Sequence, residues 1–533
     1  MISRGPNFKQ IPLNIVGSSV FGRYPKISIE KTYNMFISDN FLVPYAGYQL
    51  AVLSSMLGNG TEGRGIYAST KLGRMVVVIN SNVYLVNLFY DQDNQMNFDQ
   101  QVSLIGTLQT SVGVVYIAEN NKPQIAISDG TAIYVYDTTL SPNFQTATID
   151  FVPGYITFHD TYFIAASMGT NIWRLSGNND GLSWPDESPN VGALETKADN
   201  VQAVVRFPSK GNMVLVMGST VTESWYDTGA QLFPYQRTNN FSIDYGCLNP
   251  ATIAYMDEMV VWLAQNEKSG PIVMYTDGGP PTKITTDGFD YVFSQLTEPA
   301  DSQGFLYRQD GHLIYHLNFY TDNLSLFYDF STQKIYHACD QNLNYFIAAT
   351  VAFFNNQYYF VTKNDGNLYA FDTIFTDYQT VDKDNNIVTF EIPRIRTCQN
   401  IRMPSQEYFI ANDIGFTIES GETDYYQQNL GSIFLITQDS NFIITQDSNF
   451  LILQQEASTG IGPNSVPRVD LSISTDGGAT FGSDFAYVLP PIGIRKNRLM
   501  WWQAGIVNDL VCQFKFWSFG RFVVTDGVVN IRQ

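Results

Sequence analysis

Residues 357–369 read Gln-Tyr-Tyr-Phe-Val-Thr-Lys-Asn-Asp-Gly-Asn-Leu-Tyr, and this stretch decides the fold. Gln357 to Val361 is a strand candidate, Asp365-Gly366 a turn pair, and Asn367-Leu368-Tyr369 the aromatic core of the next strand. The same grammar recurs upstream. Cores of this kind stand at Asn82-Val83-Tyr84, Ala132-Ile133-Tyr134, Asn171-Ile172-Trp173, Glu223-Ser224-Trp225, Ile272-Val273-Met274-Tyr275 and Leu326-Phe327-Tyr328. Successive separations of about 39 to about 53 residues match the one-blade period of four-stranded propeller repeats. Asp129-Gly130, Asp310-Gly311 and Asp365-Gly366 precede strands, where a hairpin needs positive φ. The reading is an all-β chain with a β-propeller of six or seven blades over residues 50–385. A pair of β-sandwiches is the competing arrangement, because strand spacing alone separates the two poorly.

Composition agrees. The chain has 533 residues, 44% hydrophobic and only 15% charged, with 32 Tyr, 37 Phe and 40 Gly, which is a vocabulary of strands and turns and too long for one ordinary domain. After about residue 385 the repeat gives way to alternating strands, the pair Pro490-Pro491 and an apolar run at Val511 to Trp517, read as a C-terminal β-sandwich over 386–533. Residues 1–49 are expected to pack on this body. Within the sandwich, Phe434-Leu-Ile-Thr-Gln-Asp-Ser-Asn441 repeats from Phe442 and begins again at Phe450. Strands so short need partners, so residues 434–455 are expected to pair in an intersubunit or partner-facing sheet.

Four dispersed cysteines (Cys247, Cys339, Cys398, Cys512) form no C-x-x-C pair and read as buried free thiols. Apolar runs are strand-sized, which argues against membrane insertion, and the N-terminus lacks the apolar region of a signal peptide, so synthesis and use without secretion are expected. Net charge is −20, unevenly spread. Residues 1–31 hold five Lys and Arg against one acid and residues 492–533 hold six against two, leaving a strongly acidic body between. Such a body disfavours sequence-reading DNA binding, which needs cationic surface. The basic C-terminal residues Arg495, Lys496 and Arg498, with Phe434, Phe442 and Phe450 of the repeat, are candidate partner contacts.

Ser474-x-Asp476-x-Gly478-x-Thr480-Phe481 fits the Asp-box of sialidase-like propellers, and Asn179 to Trp184 is a weaker variant. The box is a hairpin device whose acid bonds turn amides; it does not catalyse. His312 and His316 have H-x-x-x-H spacing, but their segment reads as a strand, which holds them about 13 Å apart, too far for one metal ion. No P-loop, G-x-S-x-G elbow or dinucleotide-binding fingerprint occurs, and neither cofactor nor catalytic residue is assigned.

Collinear motifs carry a resemblance over nearly the whole chain. They are Tyr33-Asn34-Met35 with Pro44 to Tyr48, Gly63 to Tyr67, Ser219 to Tyr226, Gly270 to Tyr275, and Leu471 to Gly482 with the closing strands through Arg532. In this order they resemble the packaged-DNA stabilisation proteins, or tail hubs (nozzles), of Salmonella-type short-tailed bacteriophages. The resemblance implies a non-enzymatic virion protein of the tail, assembled in the host cytoplasm as a ring, a hexamer, below the portal and adaptor. It implies retention of packaged DNA, an exit channel through which genomic DNA passes without sequence-specific binding, and attachment of tailspikes or fibres and of a plug or needle. The repeat at 434–455 departs from the family pattern. A receptor-binding or glycan-processing propeller is the alternative, with the Asp-box as its one positive feature.

Overall fold

The computed structural model describes every residue except 1–7, 23–29, 91–97, 187–189, 208–210, 232, 375, 382–386, 405–406, 421–432, 435–451, 454–466, 490–495, 519 and 533. Its central body is a propeller of seven antiparallel sheets in chain order. The first contains Gly63–Ser69, Arg74–Ile79, Asn82–Tyr90 and Phe98–Thr107. The next five have innermost strands Tyr116–Glu119, Pro153–His159, Val201–Arg206, Ala254–Met256 and Ser302–Gln309. Ala348–Phe354, Gln357–Thr362 and Leu368–Asp372 give three strands of the seventh. Its fourth is Gly47–Val52, from the other end of the chain, antiparallel to Leu368–Asp372 with Tyr369 opposite Leu50. Pairing an early strand with the last blade closes the ring and removes an open edge.

The second strand of each blade explains the apolar runs. In Arg74–Ile79, Met75, Val77 and Ile79 pack with the seventh blade's Val361 and Leu368, whereas Val76 and Val78 pack with the second blade's Ile125 and Ile127. Successive side chains point to opposite faces, so a strand covered on both faces is apolar at every position. Met213–Gly218 divides likewise, with Val214 and Val216 on one side and Leu215 and Met217 on the other. The turn glycines have two separate causes. Gly311 has φ +86°, beside Asp310 at +50°, as the tight hairpin requires. At Gly366 the reason is close approach, because a Cβ there would lie 2.1 Å from the Gly60 carbonyl oxygen.

Sheets combine strands from both sides of each boundary drawn from the sequence. Phe8–Leu13, Gly527–Arg532, Phe409–Glu419, Val523–Val524, Phe41–Pro44, Met35–Ser38 and Lys496–Val507 form one seven-stranded sheet. A second sheet continues from the sixth blade: Lys334–Ala338 pairs with Lys31–Tyr33, followed by Arg394–Thr397, Asp509–Trp517, Arg468–Ser474 and Phe485–Val488. The two sheets enclose a core that includes Leu13, Met35, Phe409, Phe416, Phe514, Phe516 and Val529. Residues 1–49 thus supply strands to both bodies. Arg396, fully buried, ties the N-terminal loop to this core through the carbonyls of Asn14, Ile15 and Ser18, the Thr32 hydroxyl and the Glu30 carboxylate at 2.8 to 3.2 Å. Five donors on one planar group suit a loop with many unpaired carbonyls.

A buried charge cluster lies where the propeller meets the sandwich. Arg394 Nη1 sits 3.3 Å from Asp377 Oδ1, and both side chains are buried. Asp377 Oδ2 and Arg394 Nε and Nη2 have no hydrogen-bond partner among the described residues. Burial pushes the Asp377 carboxyl up to about 6 against the opposing pull of Arg394, and burial with the nearby Asp377 charge pushes Glu391 up to about 8.

Candidate partner-binding surface

The outer face of the seven-stranded sheet carries a group of exposed apolar side chains. Phe409–Glu419 pairs with Lys496–Val507 so that Ile410 lies opposite Ile506, with Arg532 opposite Ile410 on the other side. Side chains opposite one another in a ladder share a face. Tyr408 and Trp502 are 69% and 68% exposed and Ile506 67%, whereas Phe409, Ala411 and Val507 between them are buried. The consecutive pair Trp501-Trp502 splits across the sheet: Trp501 turns inward and donates to the Phe485 carbonyl at 2.9 Å, and Trp502 turns to solvent. Lys496 and Arg498 lie on the same strand, both exposed. Among the described residues neither Arg498 nor Arg532 has a carboxylate within 4 Å. Gln503 at φ +60° and Gly505 at +108° bend this strand, and among the described residues its far edge is unpaired.

Of the residues singled out in the sequence, Lys496 and Arg498 are thereby placed on this face. Phe434 lies in Ile433–Phe434, which pairs antiparallel with Ile452–Leu453, so the first and third repeat units meet at their ends. Phe442, Phe450 and Arg495 lie outside the described residues. Tyr408, Ile410, Trp502 and Ile506 escaped sequence reading, although a Trp-Trp pair on a strand is a signal, since alternation sends one ring outward.

The Asp-box residues build a turn between Arg468–Ser474 and Phe485–Val488. Ser474 Oγ donates to Asp476 Oδ1 at 2.6 Å and accepts from Gly478 N at 2.8 Å. Asp476 accepts Thr480 N at 2.9 Å and Thr480 Oγ1 at 2.6 Å. These donors hold its carboxyl well below the usual carboxylate range. Gly477 and Gly478 have φ of +72° and +90°, and Phe481 is half-buried. In the weaker variant Asp180, not Asn179, bonds the turn, and Trp184 Nε1 donates to the Gly181 carbonyl at 2.8 Å.

The histidines are spent on structure. His312 bridges Asp329 and Ser38 at 2.9 and 3.0 Å, and His316 in the same strand contacts Tyr45 OH and Asn318. Burial pushes His316 and His337 down to about 3, so both stay neutral at ordinary pH. All four cysteines are free and buried. On the propeller axis lies a cavity of about 330 Å³, lined by apolar side chains that include Phe305 and Phe353, by Thr350 and by the phenols of Tyr67, Tyr116, Tyr155, Tyr255 and Tyr358. Burial raises the Tyr67, Tyr116 and Tyr155 phenols, which keeps them protonated.

The profile of a protein family described as bacteriophage P22 Gp10, beta-propeller, matches residues 60–375. That span takes in the first six blades and three strands of the seventh, leaving out Gly47–Val52. No curated protein matches the chain. Among solved structures, a catalytically inactive virginiamycin B lyase from Staphylococcus aureus with quinupristin is 11% identical, at a TM-score of 0.41 over 62% of this chain and 100% of that one. The N-terminal domain of Nup159 is 10% identical, at 0.38 over 63% of this chain and 96% of that one. At such values neither bears on activity or partner.

Proposed function

Because this chain belongs to the bacteriophage P22 Gp10 β-propeller family, structural proteins of the phage tail that stabilise packaged DNA, we propose that it works as the ring-forming hub of a short tail, set below the portal and adaptor. In this reading several copies, six by resemblance, surround the DNA path after assembly in the host cytoplasm. Tailspikes or fibres and a plug or needle attach to the ring. The observation that carries it is the coincidence of the family match with the seven blades.

The axial cavity of one propeller is far too small for a duplex, so a DNA path has to be built between copies. Duplex DNA carries one negative charge per about 1.7 Å of axis, so a cationic wall would hold it and an acidic wall lets it slide. Residues 63–372 carry 30 Asp and Glu against 14 Lys and Arg, which suits an acidic wall. Retention then falls to physical closure, and the chain needs no catalytic chemistry.

Particles assembled without this chain should fill with DNA and then lose it, leaving mostly empty heads, and addition of the purified chain before the loss should preserve filled heads. Stable, filled particles lacking the chain would end this reading.

A further inference from the structure

We infer that the outer face of the seven-stranded sheet, centred on Trp502 and Ile506, seats the acidic propeller of a second copy of this chain. The inference rests on the reading of the chain as a ring-forming tail component and names the surface that would build the ring.

Its first support is composition of the face. Ile506 and Ile410 form a register row that ends in Arg532, with Tyr408 and Trp502 exposed beside it and Arg498 on the strand of Trp502 and Ile506. Aromatic and arginine anchors of this kind dominate the energetics of protein interfaces. Glu419 sits opposite Lys496, which leaves Arg498 and Arg532 as the cations of the face with no carboxylate within 4 Å among the described residues.

Charge selects the occupant. The cations of this face are Lys496, Arg498 and Arg532, all exposed. The propeller has the opposite sign. At its rim Glu195, Asp244 and Glu267 are 58%, 79% and 61% exposed on their side chains and share two cations, Lys197 and Arg237. A two-fold contact of this face with itself would gather Arg498 and Arg532 of both copies into one interface, with Glu419 of each copy as its exposed acid. A head-to-tail contact of basic face on acidic propeller avoids that, and head-to-tail contacts close into rings when the rotation permits. The bends at Gln503 and Gly505 interrupt the free edge of the strand, which favours docking by side chains over addition of another strand.

The test places a photoreactive benzoylphenylalanine at position 502 of the full chain, assembles it into tails and irradiates them. The expected product has twice the 59.9 kDa chain mass, with the cross-linked peptide mapping to residues 63–372 of the second copy. Cross-links to DNA, to another virion protein or to the same face of a second copy would overturn the inference, as would absence of any product from chains that are incorporated. As a second arm, the Arg498→Glu, Trp502→Ala double variant should fold with unchanged circular dichroism and melting yet fail to form tails; assembly equal to wild type would count against the interface. Filled particles made without the chain would remove the DNA-retention reading while leaving a copy-to-copy cross-link standing, so the two failures are distinguishable.

Discussion

Replacing Arg394 by leucine is expected to destabilise the full chain by about 3–5 kcal/mol at neutral pH, the usual cost of removing one partner of a buried ion pair. The guanidinium is enclosed at the joint between propeller and sandwich, 3.3 Å from Asp377 Oδ1, with Glu391 nearby. Without it Asp377 is left as a buried carboxylate that has lost its cation and keeps only a 3.4 Å bond from the Ile392 amide among the described residues. The same geometry fixes the pH dependence. Both carboxyls titrate higher in the folded chain, up to about 6 and about 8, than the values near 4 of an unfolded chain. The folded state therefore binds more protons across that window, and the stability from these groups, fully present below about pH 4, is lost as pH rises toward 8. The leucine variant should accordingly lose least near pH 5, where the orphaned carboxyls can be neutral, and most near pH 8. Urea unfolding at both pH values measures this, and a penalty that is small or independent of pH would contradict the account of the joint.

Trp173→Ala should cost a similar amount, about 3–5 kcal/mol, for a different reason. The indole is fully buried between the third and fourth blades, with ring centroids of Trp225, Phe233 and Tyr235 at 5.5, 5.5 and 5.6 Å. It lies over Gly192, its partner across the ladder, where a Cβ would fall 2.2 Å from the ring. A glycine backbone cannot fill the space left behind, so a cavity persists. Trp173→Phe should lose much less, since it keeps most of the volume and removes an indole N–H that has no acceptor among the described residues. Shifts in the urea midpoint report both variants, and an alanine penalty below about 1 kcal/mol would mean that the blades repack freely.

Much of the propeller was legible because its second strands are covered on both faces and appear as short apolar runs between turn pairs. Trp225 and Tyr369, expected in blade cores, are buried. The strand Gly47–Val52 was not legible as a blade strand, because its partner lies some three hundred residues away and nothing local marks the pairing. The same holds for Lys31–Tyr33, three residues that join a blade to the sandwich sheet. The α-helix Asp287–Ser294 is two turns long and shows only as Phe289 and Phe293 one turn apart, both buried. At the candidate surface, charge drew attention to Lys496 and Arg498, while the larger apolar area at Trp502 and Ile506 became visible only once the strand's facing was known. The Asp-box needed no tertiary information, since every bond of Ser474, Asp476, Gly478 and Thr480 described above is local.

The central claim is that copies of this chain surround the DNA path in the tail and let DNA slide past an acidic wall. A reconstruction of intact particles at side-chain resolution tests it most directly. The account predicts a closed ring of copies below the portal, with Asp and Glu side chains facing the duplex. A chain absent from the tail axis, or a ring whose DNA-facing wall is lined by Lys and Arg, would contradict it.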